Sequence, residues 1–569
     1  MKLAHLIAER PAPPRFRTLA DALEAAARSS DGLVFCDSKE VERPLSYADL
    51  LDRARRAAGG LRALGVRRGD RVGIVLPTGP DFMDAFFGTL LAGGIPVPLY
   101  PPVRLARLEE YHGRTVALLQ AVGARLLLTD GRIWTLLGEV AARTRLPLGV
   151  VRIAELPGKG PFEERLTPDE PALIQFSSGT TVDPKPVVLT HENVLSNVAA
   201  IDSFIPSNTE ERQSGVSWLP LYHDMGLIGC LFLGIVHPGS LTLLPPEAFL
   251  SRPALWLRAI SRHHATVSVA PNFAFGLCLK RIRDEDLADV DLSSWRMALT
   301  GAEPVSAPLL RRFAQRFRPF GFDERALVPV YGLSEASLAV TFAPPGRPLR
   351  TTPFQGREVV SLGAPVPGCE VRIGSPEGET LTEGTPGEVL VRGPSVMKGY
   401  FGNPEASARA LLDGWLRTGD LGFVEDGALY LSGRAKDVVI VRGQNHAPQE
   451  FEEALDGLPG VRAGCVAAVG VIEGDAEELA LLVEIEGGPS DGLAEAVRGR
   501  VVERTSVRPA VVRLLAPGTL PRTSSGKLRR AEALRQLQAR ELEAARVTRA
   551  GLVWATARSL LGHLRARLP

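Results

Sequence analysis

The feature that most constrains the fold is a repeated alternation of short apolar runs with amphipathic stretches of helical period. From Arg71 the chain reads RVGIVLP, DFMDAFFGTLLA, IPVPLY, an amphipathic stretch to Ala121, and RLLLTD, which predicts three strands joined by helices. After Ser214 the same alternation returns in GVSWLP, SLTLLP, ATVSVAP and RMALTG. Strands joined by helices pair in parallel, so we expect an α/β fold of two doubly wound sheets, with a ligand at the carboxyl ends of their strands.

The texture changes twice further along the chain. Between Gly356 and Arg434, runs such as CEVRIG, GEVLVRG and GALYLSGR between Gly and Pro turns predict a small β-barrel module. After Arg434, VVIVRG, CVAAVGVI, LALLVEIEG and VVRLLAP predict the strands of a compact α+β unit. We expect an N-terminal domain over 1–433, a hinge at 434–438, a small mobile C-terminal domain over 439–539 and a basic amphipathic tail over 540–569.

Composition excludes several classes of protein. Lys plus Arg number 66 against 65 Asp plus Glu, so no net charge draws the chain to nucleic acid. Five scattered cysteines form no CxxC or Cys/His cluster, which predicts reduced core thiols. The N-terminal apolar run is too short for a signal peptide, and MGLIGCLFLGIV, residues 225–236, falls short of the ~20 residues that span a bilayer. We expect a buried helix there and a cytoplasmic protein.

The stretch FSSGTTVDPK, residues 176–185, follows the apolar run ALIQF and precedes a further strand and a helix start. Small hydroxyls and a glycine in such a loop can surround polyphosphate oxygens, with backbone N–H groups turned inward and Lys185 neutralising charge. The stretch is not a Walker loop, because that motif requires Gly-Lys-Ser/Thr after a glycine and four residues. Taken alone, it is more often a plain surface loop.

Five companion motifs reverse that interpretation. GAEP (301–304), YGLSEA (331–336), RTGDLG (417–422), GRAKD (433–437) and LPRTSSGK (520–527) follow the loop in order. With them the chain resembles the adenylate-forming (AMP-binding) acyl ligases over nearly its whole length. The resemblance implies ATP and Mg²⁺ as cofactors. It also implies attack of a carboxylate on the α phosphorus of ATP, giving an acyl-adenylate and pyrophosphate, and then capture of the acyl group by a thiol.

The resemblance also implies roles for single residues. The β and γ phosphates would lie on Ser177, Ser178, Gly179, Thr180, Thr181 and Lys185. The adenine slot would be formed by Gly301, Ala302, Glu303 and Tyr331, with Gly332 in the same nucleotide site. Asp420 would accept hydrogen bonds from the ribose hydroxyls beside Arg434, Ser334 would touch the α phosphate, and Glu335 would carry Mg²⁺. Lys527 would bridge the charge that develops during adenylation, and Lys436 would be the hinge about which the small domain swings.

WLPLYHDMGLIG, residues 218–229, and the later RGQNHAPQEFEE resemble the fatty acyl-AMP ligase, or long-chain acyl ligase, branch of the family. This implies a fatty acid substrate, with His223 beside the reacting carboxylate and an acyl pocket at His223, Met225 and Gly226. Since His223 and Asp224 are adjacent, we expect a pocket-wall histidine and not a catalytic pair. The branch delivers acyl groups to the phosphopantetheine of an acyl carrier protein or polyketide synthase.

Two alternatives stay open at the level of sequence. The segment 343–361, which restrains the small domain in that branch, is shorter here than usual, which favours a long-chain fatty acyl-CoA ligase that uses coenzyme A. A catalytically silent fatty-acid or nucleotide binding protein is the second alternative, although such a protein has no chemical reason to retain Lys527, Glu335, Asp420 and Arg434.

The tail raises a separate question. Residues 546–569 contain five arginines and no acid, and their apolar residues fall on one helical face. A basic amphipathic helix of this kind predicts either peripheral contact with an anionic membrane or packing on the protein itself.

Overall fold

The structure is a computed structural model in which most of the chain is described. The described residues are 2–9, 13–102, 108–158, 160–177, 184–205, 213–441, 444–473, 476–487, 492–523, 527–542, 559, 562–563 and 565–566. Ser178, Gly179, Thr180 and Thr181 of the predicted phosphate loop, and most of the tail, therefore lie outside the described residues.

A nine-stranded sheet forms the largest layer. Its six central strands are parallel and its outer strands are antiparallel. From edge to edge the strands are Ala364–Pro365, Ala339–Phe342, Leu327–Gly332, Met297–Thr300, Val267–Ala270, Ser214–Ser217, Ser240–Leu243, Gly32–Cys36 and Glu42–Ser46. The strands predicted after Ser214 are confirmed, and the last two strands are an addition that the alternation did not reveal.

A second sheet confirms the prediction made from Arg71. Its four strands are all parallel, in the order Ile95–Pro98, Arg71–Val75, Leu126–Thr129 and Val150–Arg152. A separate antiparallel sheet is formed by Gly399–Tyr400, Pro186–Thr190 and Pro171–Phe176. The predicted phosphate loop connects two of these three strands.

Helices cover the sheets, and their ends follow local sequence signals. The helix Tyr47–Leu64 begins where the Ser46 hydroxyl accepts a hydrogen bond from the backbone N–H of Asp49, and it ends at Gly65 with φ of 99°, a conformation that favours glycine. The other helices of at least six residues before residue 435 are Leu19–Ala26, Pro80–Leu91, Leu108–Ala121, Gly138–Thr144, His191–Asp202, Pro246–Ser251, Ala254–Arg262, Asn272–Arg281, Ala307–Phe317 and Pro404–Ala410.

The apolar segment 225–236 is helical and buried, as predicted. It consists of Asp224–Gly226, a π-helical segment Leu227–Phe232, and Leu233–Val236. Among the described helices, none combines the length and the hydropathy needed to cross a membrane. The five cysteines are also buried and free, as predicted: Cys36, Cys230, Cys278, Cys369 and Cys465.

The predicted β module is an antiparallel sheet of six strands. They are His5–Ile7, Glu370–Gly374, Gly387–Arg392, Trp415–Glu425, Leu411–Leu412 and Ala428–Arg434. The N-terminal strand is an addition, since His5–Ile7 pairs with Glu370–Gly374 across more than 360 residues of sequence. A hairpin of Thr351–Phe354 and Arg357–Val360 lies within the segment 343–361.

The chain after Arg434 forms an α+β unit with its own buried clusters. A hairpin of Val439–Val441 and Gln444–His446 precedes a sheet of Val461–Glu473, Ala476–Ile485 and Val511–Leu515. Its helices are Pro448–Ala454, Leu493–Thr505 and Arg530–Gln538. The division into domains at 433 and 439 stays a prediction.

The core beneath the nine-stranded sheet is rich in aromatic side chains. Phe313 is fully buried, and its ring centroid lies 4.9 Å from that of Phe275, 4.5 Å from Phe317 and 5.2 Å from Phe322. The contacts with Phe275 and Phe322 are edge-to-face, and such contacts add to the free energy gained by burial.

We expect Phe313→Ala to lower the free energy of unfolding by about 3–5 kcal/mol, because it removes the ring contacts and leaves a cavity. Chemical denaturation followed by tryptophan fluorescence measures the loss. Ile472→Ala is the matched control, since Ile472 is 75 % exposed, and it should change stability by less than about 0.5 kcal/mol. Equal losses in the two variants would contradict this description of the core.

Candidate active site

A cleft of about 1720 Å³ lies at the carboxyl ends of the central parallel strands. Residues from the nine-stranded sheet, the β module and the chain after Arg434 all line it, including Val330, Asp420 and Lys527. Cavities of this kind bind ligands when a few polar groups converge in them. The cleft is therefore the candidate active site, and it occupies the position predicted for the ligand.

Asp420 is held from two sides in this cleft. It is 4 % exposed, its Oδ2 accepts a hydrogen bond of 2.7 Å from the Tyr331 hydroxyl, and its Oδ1 accepts one of 2.8 Å from Nε of Arg434. The Asp420 carboxylate in turn raises the pKa of Arg434. The structure thus brings together three predicted residues and leaves a carboxylate with fixed lone pairs that can accept hydrogen bonds from hydroxyl groups.

Ser334 and Asp224 form a second polar pair. The Ser334 hydroxyl donates a hydrogen bond of 2.5 Å to Oδ2 of Asp224, and Oδ1 of Asp224 accepts from the N–H of Met225 at 2.8 Å. Asp224 is a site residue that the motifs did not indicate, although it lies in the HDMG stretch beside His223. Next to it, exclusion of water lowers the pKa of His223, which favours the neutral imidazole.

Glu335 and Lys185 meet at a residue that no motif indicated, Tyr400. The Tyr400 hydroxyl donates a hydrogen bond of 3.0 Å to Oε1 of Glu335, and Nζ of Lys185 lies 4.7 Å from the centroid of the same ring. Burial, with the positive charge of Lys436 nearby, lowers the pKa of Lys185, and burial raises that of Glu335. This corner of the cleft therefore gathers the predicted magnesium residue, phosphate lysine and hinge lysine.

The described end of the predicted phosphate loop is closed by backbone pairing. The N–H of Ser177 donates to the carbonyl of Lys185 at 2.9 Å, and the N–H of Lys185 donates to the Ser177 hydroxyl at 3.2 Å. Both residues line the cleft.

Two glycines of the predicted nucleotide site lie against the backbone of neighbouring strands. A Cβ at Gly301 would lie 2.6 Å from the carbonyl oxygen of Val330, and one at Gly332 would lie 1.7 Å from that of Leu338. These glycines thus permit close packing of neighbouring strand ends. Ala302 lines the cleft with φ of 68°.

Glu303 also serves the local structure. Its Oε1 accepts a hydrogen bond of 2.5 Å from the N–H of Phe273, in the first turn of the helix Asn272–Arg281, where negative charge is favourable. Exclusion of water nevertheless raises the pKa of Glu303.

Lys527 reaches the same cleft from the C-terminal unit. The carboxylates of Asp224, Glu303 and Asp420 act to raise its pKa, but the larger effect of burial lowers it. Its backbone N–H donates to the Thr523 hydroxyl at 3.0 Å. Lys527 is thus close to the acids that surround the predicted nucleotide site, although more than a hundred residues separate it from the nearest of them in sequence.

The three residues of the predicted acyl pocket have different surroundings in the structure. Met225 lines the cleft, whereas Gly226 packs against Pro220, with a Cβ there only 2.3 Å from the Pro220 carbonyl oxygen. His223 lines a small adjoining cavity with Tyr222 and Ser177. Apolar side chains also line the cleft, namely Trp218, Val269, Phe273, Leu299, Leu338 and Phe342.

The described residues of the tail lie against the large N-terminal part of the protein. The Ser559 hydroxyl accepts a hydrogen bond of 2.7 Å from the N–H of Gly138, and the ring of His563 stacks on Trp134 with centroids 3.8 Å apart. Peripheral contact of the tail with a membrane stays a prediction.

The doubly wound sheets, the clamped Asp420 and the converging Lys527 define an enzyme of the acyl-adenylate-forming ligase class, which uses ATP. Comparison with known families agrees, because residues 23–401 match the AMP-binding enzyme family. The chain belongs to that family.

Three relatives are similar over most of their length. A Caulobacter vibrioides protein that carries the name of an acyl-CoA synthetase is 36 % identical over 91 % of this chain and 95 % of its own. The long-chain-fatty-acid–AMP ligase FadD26 of Mycobacterium marinum is 35 % identical over 86 % and 90 %. The medium-chain-fatty-acid–[acyl-carrier-protein] ligase JamA of Moorena producens is 33 % identical over 91 % and 94 %.

The fold is also that of a solved enzyme. A structure from a study of fatty acyl-adenylate ligases of E. coli and L. pneumophila superposes with a TM-score of 0.86 at 35 % identity, and covers 92 % of this chain and 98 % of that one. This similarity confirms the predicted adenylate-forming fold.

We expect Asp420→Asn to raise the Kd for AMP roughly 10- to 100-fold, because a hydrogen bond to a charged acceptor contributes about 1.5–3 kcal/mol. Isothermal titration calorimetry measures the Kd directly. Asp426→Asn is the control, since Asp426 is exposed and pairs with Arg350 outside the cleft. Unchanged AMP binding by the Asp420 variant would remove this residue from the nucleotide site.

Proposed function

We propose that the protein activates a long-chain fatty acid as its acyl-adenylate, with release of pyrophosphate. It then transfers the acyl group to a phosphopantetheine thiol of an acyl carrier protein or polyketide synthase. The observation that carries the proposal is the meeting of Lys527 with Asp420, Tyr331 and Ser334 in one cleft that apolar side chains also line. A cytoplasmic location is part of the proposal, because ATP is supplied there.

In the first half-reaction the residues act mainly by position and charge. Asp420 accepts hydrogen bonds from the ribose hydroxyls, while Tyr331 and Arg434 hold its carboxylate in place. Lys185 and Ser177 face the β and γ phosphates. Lys527 stabilises the negative charge shared by the attacking carboxylate and the α phosphate, which is a large catalytic effect in a site from which water is excluded.

Glu335 fits a magnesium ion that is held largely by phosphate. Oε1 of Glu335 accepts a hydrogen bond from the Tyr400 hydroxyl. Burial raises the pKa of this carboxyl group, and a bound cation would stabilise its ionised form. Within the described residues there is no group of three His, Cys, Asp or Glu that could hold a metal, and Mg²⁺ commonly binds through one or two carboxylates and substrate phosphates. When bound, the ion would neutralise phosphate charge.

The apolar part of the cleft supports an alkyl substrate. Burial of each methylene contributes about 0.8 kcal/mol. The apolar side chains that line the cleft therefore favour a long alkyl chain over a short one. Burial favours the neutral form of His223, so this side chain adds no charge beside the substrate carboxylate.

The carrier-protein acceptor is favoured by the name of JamA, which is an acyl-carrier-protein ligase, and by the hairpin in segment 343–361. That hairpin is held by two hydrogen bonds, of 2.8 and 2.6 Å, between Arg311 and Glu358. Its Arg357 lies close enough to Glu453 of the C-terminal unit to oppose the rise in that residue's pKa. The segment thus faces the small unit despite its length. Coenzyme A is the alternative acceptor, favoured by the name of the Caulobacter relative.

The proposal is tested by mass spectrometry of products formed from purified protein, Mg-ATP and fatty acids of increasing length. Coenzyme A and a phosphopantetheinylated carrier protein are offered separately. We expect acyl-carrier product, with acyl-AMP accumulating beside unused coenzyme A. Efficient formation of acyl-CoA would establish the alternative acceptor, and failure to exchange labelled pyrophosphate into ATP with any fatty acid would indicate a binding protein without catalysis.

We expect Lys527→Ala to slow adenylation at least about 100-fold, the loss typical of removing one preorganised charge-stabilising group. Transfer of the acyl group from supplied acyl-adenylate to the thiol should change little, since that step does not create charge between carboxylate and phosphate. Single-turnover assays of the two half-reactions measure this difference. Lys2→Ala is the control, because Lys2 is exposed and pairs with Glu383 away from the cleft. Equal losses in both half-reactions would show that the role of Lys527 is misassigned.

A further inference from the structure

Two arginines, one from each part of the protein, line the cleft and lie close enough for their charges to interact. Arg114 lies in the helix Leu108–Ala121, and Arg529 directly precedes the helix Arg530–Gln538 of the C-terminal unit. Arg529 is only 6 % exposed. Within the part of the chain that the structure describes, Nε of each guanidinium is buried and has no hydrogen-bond partner.

The surroundings of this pair leave it positively charged. Cζ of Arg114 lies 5.4 Å from the ring centroid of Tyr100. Two acids act on Arg529. Glu110 lies 3.8 Å away between Nη1 and Oε1 and its side chain is 49 % exposed, and the carboxylate of Glu532 accepts hydrogen bonds from Arg535 and Gln536. Burial and the positive charge of Arg114 together lower the pKa of Arg529. A guanidinium that is out of water and faces another cation is unfavourable unless an anion binds there.

The pair lies at the phosphate end of the site. Arg114, Arg529, Ser177 and Lys185 all line the main cleft. Arg114 and Ser177 also line the small adjoining cavity, of about 40 Å³, together with Thr523 from the C-terminal unit. An anion between the two arginines would therefore lie close to the start of the phosphate loop and would touch both parts of the protein.

We propose that Arg114 and Arg529 form a phosphate site that binds the pyrophosphate end of the nucleotide across the two parts of the protein. This inference rests on the proposed function. Guanidinium groups suit phosphate because their planar N–H donors match its oxygens in pairs. With the anion bound, the two arginines are joined through it. After pyrophosphate leaves, two unshielded cations face each other, which favours separation of the C-terminal unit before thiol capture.

A phosphopantetheine thiol also carries a phosphate group, which is the second ligand that the two arginines could bind. The position of Arg114 beside Ser177 favours pyrophosphate, and the experiment separates the two sources. Arg114→Gln and Arg529→Gln remove the charge, Arg529→Lys restores part of it, and Arg513→Gln is the control, because Arg513 is exposed on the strand Val511–Leu515 of the same unit.

In the reverse half-reaction, which forms ATP from acyl-adenylate and pyrophosphate, we expect each Gln variant to raise the KM for pyrophosphate at least tenfold. The KM for acyl-adenylate should be unchanged, and Arg529→Lys should recover part of the loss. Acyl transfer to phosphopantetheine and to pantetheine, which lacks the phosphate, should be affected to the same extent. A loss confined to phosphopantetheine would overturn the proposal in favour of the thiol donor, and an unchanged KM for pyrophosphate would overturn it outright.

Failure of the proposed function is distinguishable from failure of this site. If the wild-type protein forms no adenylate from any fatty acid, the function is wrong, and calorimetry with pyrophosphate alone still decides the site. Binding that is weakened at least tenfold in both Gln variants, but not in Arg513→Gln, supports it. Binding that is the same in all four proteins contradicts it.

Discussion

The interaction on which the rest of the site depends is the double hydrogen bond to Asp420. Tyr331 belongs to the nine-stranded sheet, Asp420 to the β module, and Arg434 ends the last strand before the predicted hinge. One carboxylate therefore joins the two layers that form the cleft and fixes the residue from which the C-terminal unit departs. A charge-assisted bond from Arg434 and a buried bond from Tyr331 both resist rotation of the carboxylate, which gives a ligand a preorganised acceptor.

The buried positive charges of the cleft favour binding of an anion, and they lower the stability of the protein when no anion is bound. Burial, with the charge of Lys436 nearby, lowers the pKa of Lys185. Burial lowers the pKa of Lys527 more than its acidic neighbours raise it. Burial and the charge of Arg114 lower the pKa of Arg529. Each of these arrangements is unfavourable in the absence of a ligand, since buried charges need partners. In the proposed function, binding of the triphosphate relieves the repulsion between these cations. The repulsion returns when pyrophosphate departs.

The motif glycines show how one residue can satisfy packing and function together. Gly301, Gly332 and Gly226 each lie where a Cβ would overlap a backbone carbonyl. The strand ends and the helix start that carry Glu303, Ser334 and His223 can therefore approach the cleft more closely than larger residues would allow. Close approach of backbones is what brings these side chains within reach of a common ligand.

The sequence by itself determined the parallel strands, the β module, the buried helix at residues 225–236 and the family, because alternation of apolar runs and the order of six motifs are local properties that need no coordinates. Only the tertiary structure decided that His5–Ile7 completes the β module and that Gly32–Cys36 and Glu42–Ser46 extend the main sheet. It likewise decided that Tyr400 joins Glu335 to Lys185, that Asp224 holds Ser334, and that Arg114 meets Arg529. The physical reason is the same in each case. These pairs form between segments distant along the chain, and their geometry follows from strand register and from the packing of whole layers, which no short stretch of sequence encodes.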